Sequence, residues 1–365
     1  MSPARPPRRP SPRTVFLGLA VALTFVLTVL VLALLGYLRI PGLSGRAHEL
    51  AGLRSILEIR GPGVGPRPLF KRPMGVAVSP RRRIYVTDTG NDRVCVFSLD
   101  GKFLFEFGGS GVAKILPGGI KTWRPGRLNY PVGIDCDEEG NVYVADFRND
   151  QIQVFDADGR YLRVFPDRDS IVGRGGSGQD GTGIAVTDVA VRDGKVYATD
   201  TYQVLEFSTD GNLIRQFGRP GRGPGDLDHP NGVAVGRDGT VYVSDSNHAR
   251  IVAFSEEGEV LWELGRIPRD LSDGAIGDFS LPRGLTVLND GSLVVADAFD
   301  FSLVMASQHG RLLQRFGQRG ETAGELNFPN DVDRSGRYFV VADKENDRVQ
   351  VVELLRSAVE SQQPK

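Results

Sequence analysis

The sequence predicts an all-β protein, a six-bladed β-propeller built from four-stranded antiparallel blades. Three observations carry this reading. One pattern recurs six times between Pro73 and Glu353, each copy holds several short strand patterns, and the strand missing from the last copy stands ahead of the first. The clearest copies are Pro73-Met-Gly-Val-Ala-Val78 with Arg83-Ile-Tyr-Val-Thr-Asp88, and Pro230-Asn-Gly-Val-Ala-Val235 with Thr240-Val-Tyr-Val-Ser-Asp245. Further copies start at Pro131, Val186, Pro282 and Pro329. Their signature aspartates are Asp88, Asp146, Asp200, Asp245, Asp297 and Asp343, a period drifting between the mid-forties and the high fifties. Units of this length cannot bury a core alone and must stack on their neighbours.

Within a unit the first strand reads Gly-Val-Ala-Val, and the second ends on the aspartate, as in Asn141 to Asp146. The third reads as Arg93 to Phe97 or Gln151 to Phe155, and the fourth as Leu104 to Gly108 or Leu213 to Gly218. Alternating β-branched and aromatic residues suit a pleated surface. The pairs Asp100-Gly101, Asp158-Gly159 and Asp210-Gly211 supply tight turns between third and fourth strands. Four such strands per unit, arranged radially, make a propeller. The last unit stops after its third strand, Arg348 to Glu353, while Ser55 to Gly61 carries the fourth-strand pattern. The expected ring therefore closes by pairing the N-terminal strand beside the C-terminal one, which removes exposed sheet edges.

The run Asp88-Thr-Gly-Asn91-Asp92-Arg93-Val94, echoed by Asp343-Lys-Glu-Asn346-Asp347-Arg348-Val349, resembles the NHL repeat family of propellers over roughly residues 54 to 354. The third repeat is shortened to Asp200-Thr-Tyr-Gln203, and the fifth has Asp300 and Ser302 at the motif positions. The resemblance is specific for fold and leaves function open, since one fold hosts many functions.

Val15 to Leu35 carries no charge and is polar only at Thr24 and Thr28. Its length of roughly 31 Å as a helix matches a bilayer core. The expected organisation is a Pro/Arg-rich tail (1–13), a transmembrane signal-anchor helix (14–38), a linker (39–53), the propeller (54–354) and a C-terminal tail (355–365). Arg5, Arg8, Arg9 and Arg13 precede the anchor, which places the N-terminus in the cytoplasm and the propeller outside it, a single-pass protein of the cell membrane. A formal net charge of −1 gives no global field to gather nucleic acid. Cys95 and Cys136 fall on strands of successive blades, where repeat geometry promises no disulfide. They read as small hydrophobic residues.

Strand direction places the blade-to-blade loops, the Asp-x-x-Asn turns and the residue after each repeat's proline on one face, here called the top. The post-proline positions are Met74, Val132, Thr187, Asn231, Arg283 and Asn330. Thr187, Asn231, Arg283 and Asn330 could hold a small anion or a cation at the channel mouth, or ordered water alone. The six signature aspartates read as structural acceptors of backbone N–H groups. The loop Gly108 to Tyr130 carries Lys114, Lys121, Trp123, Arg124, Arg127 and Tyr130 with no acid. It suits an anionic or glycan ligand or a protein partner, or is a packed insertion.

An enzymatic alternative remains. An amidating lyase that resembles this chain holds zinc with a ring of histidines, and only His229 lies where that resemblance expects a ligand. His248 occupies a turn on the same face. The other pre-proline residues, Arg72, Tyr130, Leu281 and Phe328, supply no matching trio. A calcium-dependent lactonase would need a channel carboxylate beside Asn231 and Asn330, with Asp188 and Asp331 one residue beyond ring positions. No Gly-x-Ser-x-Gly, phosphate-loop or His-Glu-x-x-His motif is present. The expected function is a binding or scaffolding propeller without a cofactor. The alternative is a metal-dependent hydrolase or lyase, with calcium or zinc at the mouth.

Overall fold

The computed structural model describes residues 52–66, 69–111, 114–115, 121–122, 124–166, 185–265 and 278–355. The chain divides into two units, Met1–Ala47 and His48–Lys365, and all described residues lie in the second. Six four-stranded antiparallel sheets form the blades, each running from the central channel outward. The innermost strands are Val76–Val78, Pro131–Cys136, Val186–Arg192, Pro230–Val235, Pro282–Val287 and Pro329–Ser335. Blades 1 to 5 follow chain order, and blade 6 is completed by Leu53–Ile59 on Arg348–Leu354. The expected closure is observed, in a register pairing Leu53 with Leu354 and Ile59 with Val349.

Hydrophobic contact is made between blades. Six clusters of buried residues fill the six gaps, each drawing on the facing sides of two successive blades. The second strand of each blade is buried along nearly its whole length because both its faces meet a neighbour. Tyr85, Tyr143, Tyr197 and Tyr242 occupy the same position in four of these strands and are almost fully buried. The Tyr85 hydroxyl, buried with its ring, donates to Ala157 O of the next blade at 2.9 Å.

The six signature aspartates are all almost fully buried and share one task. Each accepts a backbone N–H from the loop that enters its own blade: Lys71 to Asp88 (2.7 Å), Asn129 to Asp146 (2.6 Å) and Ala185 to Asp200 (2.9 Å). Asp228 to Asp245 (2.8 Å), Leu281 to Asp297 (2.8 Å) and Asn327 to Asp343 (2.7 Å) repeat the bond. The second carboxylate oxygen takes an arginine in four blades, Arg93, Arg250 and Arg348 within 2.8 Å and Arg315 at 3.6 Å in blade 5. Blade 2 uses Gln151 and Gln153 amides instead. An outer-strand glutamate completes the network, Glu106 in blade 1, Glu263 in blade 4 and Glu58 in blade 6. Glu58 belongs to the N-terminal strand, so closure is electrostatic as well as hydrophobic.

The single-pass location expected from the apolar segment is corrected. Among the described residues no helix is long and apolar enough to cross a membrane, and the helical elements there are three-residue 3₁₀ turns. The segment 14–38, the tail 1–13 and most of the linker 39–53 lie outside the described residues. The membrane partner, the cytoplasmic N-terminus and the extracytoplasmic propeller are therefore withdrawn.

Candidate functional site: two ends of one channel

Four blades place glycine at the third position of the inner-strand motif, Gly75, Gly133, Gly232 and Gly284, whereas blades 3 and 6 place Asp188 and Asp331 there. The substitution is structural. A Cβ on Gly133 would collide with Asp188, and one on Gly284 with Asp331, so each carboxylate fills the hollow left by the preceding blade's glycine. Each then reaches forward: Asp188 Oδ2 accepts Val233 N at 3.0 Å, and Asp331 Oδ2 accepts Val76 N at 2.9 Å. Asp135 and Asp333, two positions further along their strands, do the same for Val191 N (2.7 Å) and Val78 N (2.6 Å). Neighbouring inner strands splay apart at the channel, and these carboxylates satisfy N–H groups that would otherwise be orphaned.

These four acids line a cavity of about 600 Å³ that opens at the bottom face, among Asp137, Glu139, Arg163 and Arg192. Burial pushes the Asp135 and Asp331 carboxyls up to about 7, with Asp333 adding repulsion to both. Burial, then Asp331, raises Asp188 as well. The sign of the consequence is fixed. The unfolded chain releases these protons near pH 4 and the folded chain holds them to about pH 7, so stability falls as pH rises through that window and levels off above it. The urea midpoint should accordingly drop between pH 5 and pH 8, and Asp135→Asn should flatten the drop. A midpoint that climbs over the same range would contradict this assignment.

The top end has a different construction. Of the five residues immediately before the repeat prolines, Arg72, Tyr130, His229 and Phe328 have positive φ, between 50° and 58°, and Leu281 does not. Left-handed backbone is costly for bulky side chains, about 1–3 kcal/mol, and persists where the surroundings over-determine it. The preceding blade does so. Asp347 Oδ1 accepts Arg72 N (2.6 Å), Asp92 Oδ1 accepts Tyr130 N (2.9 Å), and Thr201 O accepts His229 N (2.8 Å). Asp92 and Asp347 are themselves left-handed and end the 3₁₀ turns Thr89–Asn91 and Lys344–Asn346.

This backbone sets the pre-proline side chains against the top turns. Tyr130 lies 6.2 Å from Phe147, with the Arg148 guanidinium 4.3 Å above its ring. His229 meets Tyr202 edge-on at 5.6 Å. Phe328 meets Phe299 at 5.3 Å and carries the Lys344 ammonium at 4.1 Å. Phe299 and Tyr202 remain 58% and 39% exposed, so the top face presents aromatic surface with cations laid over it.

The expected ring residues are bonded mainly to backbone carbonyls, and Arg283 and Asn330 to each other. Thr187 Oγ1 bonds Pro230 O (2.6 Å) and Thr199 Oγ1 (2.8 Å), and Asn231 Nδ2 donates to His229 O (2.8 Å). Asn330 Nδ2 donates to Met74 O (2.9 Å), which presents Oδ1 to Arg283 Nε (3.1 Å) and Nη2 (2.9 Å). Burial lowers the Arg283 guanidinium to about 10, against which Tyr130, Asp188 and Asp331 act. His229 is exposed, and its Nδ1 sits 2.6 Å from Asp228 Oδ1. His248 is buried with Nδ1 2.8 Å from Asp245 Oδ2, taking the place that Asn91, Asn149 and Asn346 hold in their blades. Among the described residues no group of three or more His, Cys, Asp or Glu side chains is placed to hold a metal ion.

In the loop Gly108 to Tyr130, the residue pairs Lys114–Ile115 and Lys121–Thr122 form a short ladder. Their side chains and Trp123 lie outside what is described. Arg124 is exposed, and Arg127 Nη1 donates to Gly108 O at 2.8 Å. The loop is pinned by fully buried Leu128, as the equivalent loops are by Leu227 and Leu326. Cys95 and Cys136 are free thiols, the first buried and the second half-buried.

Geometry and repeat thus define the class, a six-bladed β-propeller with NHL repeats. The NHL repeat pattern matches residues 70–97, 128–155 and 227–254, which are the first three strands of blades 1, 2 and 4. The chain is similar to Protein brain tumor of Drosophila melanogaster, 26% identical over 38% of this chain and 13% of that protein. It is also similar to peptidyl-glycine alpha-amidating monooxygenase B of Xenopus laevis, 28% identical over 52% of this chain and 21% of the other. The chain spans less than a quarter of the length of these relatives. Virginiamycin B lyase from Staphylococcus aureus superposes with a TM-score of 0.53 at 15% identity, over 83% of this chain and 99% of the lyase, a likeness of fold.

Proposed function

We propose that the propeller is a binding module that takes a protein or glycan partner on its top face. The observation supporting this most directly is the set of pre-proline residues held in left-handed backbone, which set Tyr130, His229 and Phe328 against exposed Tyr202, Phe299 and Arg148. Strained backbone gathers at working surfaces, and rigid aromatic rings with arginine are the side chains that carry interface energy. The bottom cavity holds about 600 Å³, but the four carboxylates that line it are each engaged by a backbone N–H donor of the next blade, which ties the blades together.

The test is affinity capture with wild type and two variants. Replacing Arg148, Tyr202 and Phe299 together with serine should abolish retention of partners. It should cost no more than about 0.5 kcal/mol of stability per exposed site. Asp158→Asn with Asp210→Asn on the bottom turns should leave capture unchanged. Loss from the bottom pair alone would show the working face to be the other one.

The pair His229–Asp228 favours a second reading, a hydrolase or lyase at the mouth. A carboxylate that holds one imidazole nitrogen orients the other for proton transfer, and a metal supplied there would have His229 as a ligand. Under that reading, turnover of a lactone or peptidyl substrate with added zinc or calcium should vanish in His229→Gln.

A further inference from the structure

The charges at the top mouth are unevenly partnered. Arg72 Nη2 and Lys344 Nζ share a single oxygen, Glu345 Oε1, at 3.2 and 3.1 Å. Arg283 gives two N–H groups to the neutral Asn330 amide. Among the described residues, Glu345 is the one carboxylate within ion-pair distance of any of these three cations. Asp347, the other acid on this rim, spends its Oδ1 on the Arg72 backbone N–H. Lys344 is also out of pattern. The matching position after the signature aspartate holds Thr89 in blade 1 and Ser246 in blade 4, whose hydroxyls donate to the next blade's proline carbonyl. Blade 6 instead puts a buried ammonium there, over the Phe328 ring. Burial lowers the Lys344 pKa, and repulsion from Arg72 and Arg283 lowers it further. Three cations gather at this mouth: Glu345 answers two of them, Asp188 and Asp331 act on Arg283 from beyond ion-pair distance, and Lys344 is buried while Arg283 is half-buried.

Resting on the top-face binding reading, we propose that this mouth is an anion site for a phosphate monoester group, held by Arg283, Lys344 and Arg72 between the Phe328 and Tyr130 rings. Arg72, Lys344 and Arg283 together carry more N–H donors than Glu345 Oε1 and Asn330 Oδ1 accept. A phosphate monoester brings close to two negative charges at neutral pH and three acceptor oxygens, enough for donors arriving from blades 1, 5 and 6. A carboxylate brings one charge and two oxygens in one plane. The aromatic walls then contact whatever body carries the phosphate.

The test is isothermal titration of the full chain with phenyl phosphate, inorganic phosphate, phenylacetate and phenol as probes. Phenyl phosphate should bind at least about ten-fold more tightly than phenylacetate, and phenol should not bind measurably. A tie between phenyl phosphate and inorganic phosphate identifies free phosphate as sufficient, whereas a gap shows that the ring walls read the carrier. Arg283→Gln and Lys344→Gln should each weaken phenyl phosphate by about ten-fold or more, and added salt should weaken it in wild type. Where a variant folds poorly, the salt dependence and the order of probes in wild type decide the matter. Phenyl phosphate binding no better than phenylacetate or phenol, or binding unchanged in Arg283→Gln, overturns the assignment. The serine triple variant lacks none of the three cations, so partner capture can fail there while phosphate binding persists, and the two readings fail separately.

Discussion

A chain beginning at Lys71 should fail to fold as a stable monomer, whereas one beginning at His48 should keep the full denaturation midpoint. The difference between them contains the strand Leu53–Ile59. Leu57 and Ile59 fill the cluster between blades 6 and 1, and Leu53 fills the one between blades 5 and 6. Fully burying a side chain of this size contributes about 1.5–3 kcal/mol, and Leu53 and Leu57 are half-buried while Ile59 is buried. Removing all three therefore costs on the order of 3–5 kcal/mol, a large share of the stability of many domains. The loss also leaves the ladder edge of Arg348–Leu354 open to another chain. Aggregation, or a large fall in midpoint, is the expected result. Equal midpoints for the two chains would show that ring closure does not depend on this strand.

The second large effect belongs to Arg348, which is almost fully buried. Its Nε donates to Asp343 (2.7 Å), Nη1 to Glu58 (2.6 Å) and Glu321 O (2.7 Å), and Nη2 to Thr322 O (2.9 Å) and Glu325 O (2.8 Å). One guanidinium thus ties the final blade, the closing strand and the preceding loop. Arg348→Met strips the cation from Asp343, itself fully buried, and takes a donor from three loop carbonyls, of which Thr322 O keeps Glu325 N and Glu325 O keeps Gln350 Nε2. Breaking a buried pair in this way costs about 3–5 kcal/mol. Arg348→Lys should rescue little, because a single ammonium cannot reproduce a planar fork that reaches five acceptors. A lysine variant within about 1 kcal/mol of wild type, measured by urea unfolding, would mean that charge alone matters here.

The ring was legible because its signal is repeated. The Pro-x-Gly start, the Val-Tyr-Val-x-Asp second strand and the displaced fourth strand each recur or complete a count, so local ambiguity averages out. The two irregular repeats were visible too: blade 3 has a shortened turn at Thr201–Tyr202, and in blade 5 Asp300 pairs with Arg315 from the fourth strand rather than with an arginine opening the third. The site was less legible because its parts occur once. Asp135 and Asp333 sit in strands whose alternation marks them as channel-facing, but nothing local says that a carboxylate there will bond the next blade. Lys344 occupies a slot that is threonine or serine in three other blades, Thr89, Thr201 and Ser246, a difference that gains meaning only when Glu345, Arg72 and Phe328 are brought beside it. The left-handed backbone of Tyr130, His229 and Phe328 runs against the usual preference of a pre-proline residue for extended conformation. It follows from the turn of the neighbouring blade, a contact between residues far apart in the chain. The two histidines differ in their surroundings. They share a face by sequence, yet His248 is drawn inward by Asp245 while His229 stays in solvent.

Whether the top face receives the partner can be measured by photo-crosslinking. A benzophenone amino acid would be placed once at Phe299, exposed beside Phe328, and once at Asp210, exposed on a bottom turn. The top-face reading predicts a discrete adduct from position 299 that disappears when Arg148 and Tyr202 are replaced, with none from position 210. A discrete adduct from position 210 alone would contradict it.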